Sequence, residues 1–291
     1  MSRLRTILAA QYAEHYARIN ASTDPAALPA RVFKGMDAMY GPLLRRLPAG
    51  AKVLDLGCGT GFLLRWLADQ PNLVPVGVDA SPGQLAVAAD RLPQVEIVCR
   101  DGLDYLREHP ETFDGIFCID VLEHVPGDDL LLEWVETAVA ALTPGGFFVC
   151  RTPNAANLMA AHARYMDLTH QRCFTSASIL QLLAAGGLTD CRTLAPRAAS
   201  WSGRLRLGVE TLLHRALFRV CSCGPEQIFT RDVCAVGFRH EGDCPDFRVS
   251  ENGTVPLRQG EGDSPVFAET KTGTVPPETK TGTVPPQGAA A

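Results

Sequence analysis

The sequence predicts an α/β protein whose mostly parallel sheet is covered by helices on both faces. Over residues 50–153, short apolar runs alternate with helix-patterned segments. The apolar runs are near-continuous rather than alternating apolar and polar, as parallel strands buried on both faces must be. Composition agrees: 291 residues, 46% hydrophobic and 20% charged with net charge −5, suit a soluble globular chain. The same figures exclude collagen, coiled-coil and disulfide-scaffold classes, and the acidic balance argues against a general nucleic-acid binder.

The elements follow in order. Leu4–Ile19 has a helical pattern within an N-terminal cap, residues 1–48. The main domain spans 49–245 and opens with a strand, Lys52–Asp55, that runs into a glycine loop. Phe62–Ala68 is helical in pattern, and Val74–Asp79 is the second strand. Ser81-Pro82-x-Gln84 supplies an N-cap, a proline at the first helical position and a capping-box glutamine for the next helix. Val95–Arg100 and Phe113–Asp120 are strands. A helix from Asp128, with acidic residues suited to its dipole, runs to about Leu142. Pro144-Gly145-Gly146 stops it, Phe147–Arg151 is the fifth strand, and Ile228–Phe238 is the last. Insertions fall near 154–175 and 196–226.

Residues 246–291 differ in kind. They hold six prolines, six glycines and seven threonines, and ETKTGTVPP occurs in tandem at 269–277 and 278–286. So polar a repeat cannot bury enough apolar surface to offset its ordering entropy, and the segment reads as a disordered tail. The ten cysteines fall short of a disulfide framework; Cys58, Cys99, Cys118 and Cys150 lie in or beside apolar runs, as reduced thiols do. Cys221, Cys223, Cys234 and Cys244 match no common zinc spacing. No apolar stretch is long enough to span a membrane, and MSRLRTILAAQYAEHYARIN lacks the core of a secretory signal. The expected location is cytoplasmic.

Ligands of parallel sheets sit beyond the carboxyl ends of the strands, and four carboxylates close four strands: Asp55, Asp79, Asp101 and Asp120. In VLDLGCGTG, residues 53–61, Gly57, Gly59 and Gly61 allow a tight turn and close approach to a ligand. The spacing is not that of a dinucleotide fingerprint. Asp55 at the loop entrance would repel a phosphate but suits an ammonium group. Asp79 is placed to accept two ribose hydroxyls, and Asp101-Gly102 to meet an adenine amino group. A cationic, unphosphorylated adenosyl ligand fits all three positions.

Together VLDLGCGTG, GVDAS, the Asp101 position, FDGIFCIDVLEHVP and LTPGGFFV resemble, in order, the motifs of class I S-adenosylmethionine-dependent methyltransferases over residues 50–195. The resemblance implies a Rossmann-like, mostly parallel seven-stranded sheet with an antiparallel last strand, and S-adenosyl-L-methionine as cofactor. It implies that Asp55 and the loop glycines hold the methionine part, Asp79 the ribose and Asp101 the adenine. Ile119 and Asp120 would line the cofactor, with Arg31 a candidate for its carboxylate.

Methyl transfer to oxygen calls for a general base or a metal that lowers the hydroxyl pKa. Asp120-Val-Leu-Glu123-His124 and Asp167-Leu-Thr-His170-Gln-Arg-Cys-Phe-Thr175 offer such groups. His124, His170 and Asp167 are the candidate catalytic residues. These segments resemble both the ubiquinone-pathway O-methyltransferases and bacterial methyltransferases of polysaccharide sugars. In the quinone group the Glu and His of the first block are associated with a divalent ion, which makes Asp120, Glu123 and His124 the candidate metal ligands. Asp120 stands where Glu is commoner. His124 reads equally well as structural, and His15, His109, His214 and His240 read as solvated.

The expected function is therefore S-adenosylmethionine-dependent methylation, of the oxygen of a sugar, a glycan precursor or a quinone-type phenol. A non-catalytic cofactor-binding scaffold or activating subunit is the alternative. Residues 203–220 carry Leu205, Val209, Leu212, Leu213, Ala216, Leu217 and Val220 on one helical face. A lid packed on the sheet is the common use of such a stripe; peripheral membrane contact is the other.

Overall fold

In the computed structural model, residues 30–195, 200–224, 226 and 228–240 are described. Seven strands form one sheet: β1 (Ala51–Leu56), β2 (Leu73–Asp79), β3 (Glu96–Cys99), β4 (Phe113–Ile119), β5 (Leu142–Pro153), β6 (Thr189–Thr193) and β7 (Asp232–Phe238), in the order β3-β2-β1-β4-β5-β7-β6. β1 to β5 run parallel, and β7 is antiparallel to both β5 and β6. The order reverses direction between β1 and β4, which opens a crevice at their carboxyl ends.

The strand residues sort by side. Leu54, Leu56, Ile116, Cys118, Phe148 and Cys150 face α5 (Gly102–Arg107), α6 (Asp128–Ala141) and α8 (Ser176–Ala185). Val53, Phe117, Phe147 and Val149 face α1 (Ala30–Met39), α2 (Gly41–Leu44) and α3 (Phe62–Ala68). α4 (Pro82–Arg91) packs with α3 in a smaller cluster around Leu64, Leu85 and Leu92. Tyr40, Trp66 and Phe117 meet at tilted or edge-on angles, the arrangement aromatic quadrupoles favour.

Three local features differ from expectation. β5 begins at Leu142, so Pro144-Gly145-Gly146 lies within an irregular start whose register against β4 shifts between Phe113 and Gly115. The last strand begins at Asp232 rather than Ile228, because the Asn154 side-chain amide takes the carbonyls of Ile228 and Thr230 at 2.8 and 2.9 Å. Ser81 is the N-cap residue with Pro82 after it, but its hydroxyl makes no capping bond. The Asp79 carboxylate instead accepts from the Ser81 backbone N–H at 2.7 Å.

Two inserted helices, α7 (Ala160–Tyr165) and α9 (Trp201–Val220), complete the described chain. His214 of α9 corrects the solvated reading: it is buried, its Nδ1–H donates to the Glu210 carbonyl, and Nε2 accepts from the Leu158 N–H at 3.0 Å. The apolar stripe of α9 does not pack on the sheet. Leu205, Val209, Leu212, Leu213, Leu217 and Val220 are all exposed, so the lid expectation is overturned. Among the described residues no helix is long and apolar enough to cross a membrane. Cys221 and Cys223 are exposed beyond α9 while Cys234 is buried in β7 against the Tyr40 hydroxyl, and Cys244 lies outside the described residues. The Leu4–Ile19 helix and the 246–291 repeats also lie outside them.

Candidate active site

The loop after β1 is shaped by its glycines and pinned to the end of β2. Gly57 has φ +80°, and a Cβ there would overlap the Val121 side chain. Gly59 has φ +52°, and Gly61, at φ +83°, is the N-cap of α3. The Gly57 and Cys58 N–H groups both donate to the Val78 carbonyl, at 2.8 and 3.0 Å. The Gly59 N–H donates to Asp79 Oδ2 at 3.0 Å. Asp79 thus grips both its own turn and the glycine loop, Oδ1 accepting from Ser81 and Oδ2 from Gly59. Burial raises its pKa, against three backbone N–H groups that lower it.

Asp55 is the unusual group. It is buried, and its Oδ2 has no hydrogen-bond partner. Burial first, and the Asp79 charge second, push its carboxyl up to about 7, with a backbone bond from Leu64 opposing. A desolvated carboxylate with a vacant oxygen at the strand end is complementary to a cation. Asp101 caps α5 through Oδ1, which accepts from the Leu103 and Asp104 N–H groups at 2.9 and 3.2 Å, and Oδ2 takes no part in the cap. Gly102 answers to packing: a Cβ would come within 2.7 Å of Trp134 and 2.9 Å of Leu56. Ile119 is half-buried at the end of β4. Arg31 falls in α1, but its side chain is outside the described residues.

The second part of the site is built by the turn after β4 and the connection after β5. Asp120 sits in the left-handed region, at φ +57°, and both its oxygens are held by Arg151, one at 3.0 Å from Nε and the other by the terminal guanidinium nitrogen. Three residues on, Glu123 is buried in a single 3₁₀ turn, Leu122–His124. Its Oε2 is unpartnered, and burial, then the Asp120 charge, raises its pKa well above the usual carboxylate range. The Glu123 carbonyl accepts from the Gln171 N–H at 2.6 Å, which ties the two segments together.

The histidines are oriented by what their Nδ1 atoms touch. The Thr169 hydroxyl donates to Asp167 Oδ1 at 2.7 Å, so toward His124 Nδ1, also 2.7 Å away, it acts as acceptor. The hydrogen-bond network therefore assigns the proton to Nδ1 of His124 and the lone pair to Nε2. His170 Nδ1–H donates to the Ala163 carbonyl at 2.8 Å, with the same consequence. The two rings meet edge to face, centroids 4.7 Å apart. Burial works to raise the Asp167 pKa, but its two bonds from Thr169 and the neighbouring imidazoles hold it below the usual value.

One ligand atom each from Glu123, His124 and His170 lies within 4.8 Å of the others. The structure thus brings His170, in place of the expected Asp120, beside Glu123 and His124; both Asp120 oxygens are engaged by Arg151. An N, N, O donor set with a buried, unpartnered carboxylate oxygen fits a divalent cation.

Residues 30–192 match a family described as a methyltransferase domain. The chain belongs to this family of S-adenosylmethionine-dependent methyltransferases. A ubiquinone biosynthesis O-methyltransferase of Xylella fastidiosa is 32% identical over 198 residues, 62% of this chain and 78% of that one. An S-adenosylmethionine-dependent methyltransferase from Archaeoglobus fulgidus superposes with a TM-score of 0.53 at 16% identity, covering 71% of this chain and 94% of that chain. Phosphoethanolamine N-methyltransferase 2 of Haemonchus contortus, in complex with S-adenosyl-L-methionine, does so at 0.54 and 19%, covering 82% and 60%. The last two share the fold. In this methyltransferase, sequence reasoning missed Thr169 and Arg151, whose partners lie 45 and 31 residues away.

Proposed function

We propose that the chain methylates the oxygen of a small-molecule acceptor, a sugar or glycan-precursor hydroxyl or a quinone-type phenol. The observation that carries this reading is the pair of histidines whose Nδ1 protons are both engaged, at Thr169 and at Ala163, so that each Nε2 carries the lone pair that can take up a proton. The kinship to an O-methyltransferase at 32% identity supports oxygen as the acceptor atom.

In the proposed complex the unpartnered Asp55 oxygen receives the ammonium of S-adenosylmethionine. Asp79 accepts the ribose hydroxyls and Asp101 Oδ2 the adenine amino group. Ile119 flanks the cofactor, and Asp120 with Arg151 closes the adjoining strand end. Bound there, the cofactor supplies an electrophilic methyl group on sulfonium sulfur, and the protein's work is to position the acceptor and take its proton. His124 accepts that proton at Nε2. The charge that develops on its ring is stabilised through Thr169 by the ionised Asp167, while His170 orients the acceptor oxygen. Glu123, His124 and His170 would hold a divalent ion if one takes part, and its chemistry would be to lower the acceptor hydroxyl's pKa.

The test is transfer of isotopically labelled methyl from S-adenosylmethionine to a panel of sugars and catechols, with and without a chelator. Labelled O-methyl product from one of these classes, lost in His124→Ala, supports the reading. Cofactor binding with no transfer to any acceptor points to a scaffold. Activity that a chelator abolishes and a divalent ion restores assigns the Glu123 cluster to a metal, while chelator-resistant activity assigns His124 the base role alone.

A further inference from the structure

The exposed face of α9 takes no part in the proposed methyl transfer. Trp201, Leu205, Val209, Leu212, Leu213 and Val220 fall within about a third of the helix circumference. They are 50–80% exposed. Directly opposite lie buried His214 and half-buried Leu207 and Phe218, with Phe218 set edge-on against Phe229. The helix is therefore held to the domain by its other side, and its apolar side points outward. Arg204, Arg215 and Arg219 border one edge of that apolar arc and Arg206 the other. The helix carries four arginines against a single acid, Glu210, in a chain whose net charge is −5. Glu210 lies away from the outward face, bonded to the Asn157 amide at 3.1 Å.

The segment that α9 is held against also carries exposed apolar side chains. The Leu158 N–H bond to His214 sets α9 beside the 155–168 segment, where Leu158, Met159, Tyr165 and Leu168 are also exposed. That segment contains Ala163, whose carbonyl orients His170.

We propose that α9 seats the protein on an anionic lipid bilayer. The apolar arc enters the headgroup–acyl boundary, and the bordering arginines lie at the level of the lipid phosphates. Charge decides between this occupant and a second copy of the chain: pairing two such faces would set arginine rows against one another, which costs rather than stabilises. The helix lies on the membrane and does not cross it, since its five charged residues rule out a span. The proposal is independent of which acceptor is methylated.

The test is co-sedimentation of the full chain with vesicles of equal parts phosphatidylcholine and phosphatidylglycerol, and with phosphatidylcholine alone. The full chain should pellet with the mixed vesicles and far less with the neutral ones. Arg204→Gln with Arg215→Gln should weaken partitioning by roughly fivefold per arginine. Leu212→Gln with Leu213→Gln should weaken it by at least ~10-fold, with circular dichroism and S-adenosylhomocysteine binding unchanged because both side chains are exposed. Tryptophan emission should shift to the blue on the mixed vesicles, and Trp201→Phe should remove the shift, a readout that stands without the leucine variants. A chain that stays in the supernatant overturns the proposal, whether it is monomeric or dimeric by light scattering. So does a leucine or arginine pair that partitions like the parent.

Discussion

Replacing Asp55 by Asn should stabilise the cofactor-free protein and weaken the cofactor complex. The folded carboxyl titrates at about 7 against an ordinary 3.8. A tenfold change in proton affinity is worth about 1.4 kcal/mol, so holding Asp55 ionised in the empty protein costs about 4 kcal/mol. The sign follows from proton linkage. Below the unfolded value both states are protonated and the favourable contribution is intact; it is lost as pH rises through the folded value near 7. An asparagine avoids that cost but places an amide donor where Oδ2 now has no partner, a penalty of ~1–3 kcal/mol. The net gain near pH 8 is therefore about 1–3 kcal/mol, a rise in Tm of roughly 2–10 °C. Near pH 5, where the parent is largely protonated, the two proteins should melt within a degree or two of each other or in the reverse order. Binding of S-adenosylhomocysteine should fall by ~10- to 100-fold in the variant, the worth of a hydrogen bond to a charged group. In the parent, affinity should also drop about tenfold for each step of one pH unit below 7, and that slope should vanish in the variant. Thermal melts and calorimetric titrations across pH read all of this. A variant that melts lower near pH 8 and keeps both the affinity and its slope would refute the placement of the ammonium at Asp55.

Three further outcomes follow from the geometry. Thr169→Val should slow methyl transfer by ~10- to 100-fold and spread the His124 nitrogen signals between tautomers, while Thr169→Ser restores both; unchanged nitrogen spectra would remove Thr169 from the relay. His170→Ala should lower kcat by ~10²- to 10⁴-fold with the affinity for S-adenosylhomocysteine intact, whereas an unchanged kcat would make its bond to Ala163 structural only. Gly57→Ala should cost ~1–3 kcal/mol in strain at φ +80°, beyond the overlap with Val121, so adding Val121→Ala should restore part of the lost melting temperature and no more.

The parts of the molecule legible in the sequence are those set by local period and by position along one strand. Apolar runs place β1, β2 and β4 to within a residue or two, and an acid or glycine at a strand's end needs no distant partner to be recognised. What was hidden depends on partners far along the chain. Asp101 reads as a ligand group from its strand, yet one oxygen caps α5; Gly102 reads as a loop glycine, yet Trp134 and Leu56 demand it. Asp120 reads as a metal ligand from its block alone, yet Arg151 in the neighbouring strand holds its carboxylate. His214 reads as solvated from its local sequence, but the Leu158 N–H and the Phe229 ring bury it. The stripe of α9 predicted an amphipathic helix, and periodicity alone does not say which way such a face turns; here the buried side is the histidine side.

The central claim is that the glycine loop, Asp55 and Asp79 together hold S-adenosylmethionine, and calorimetric titration of the full chain with S-adenosylhomocysteine tests it most directly. Micromolar binding, abolished by Asp79→Ala in a variant that still folds, is the predicted result. A folded parent chain that binds nothing, or an Asp79→Ala variant that binds as tightly, would contradict it.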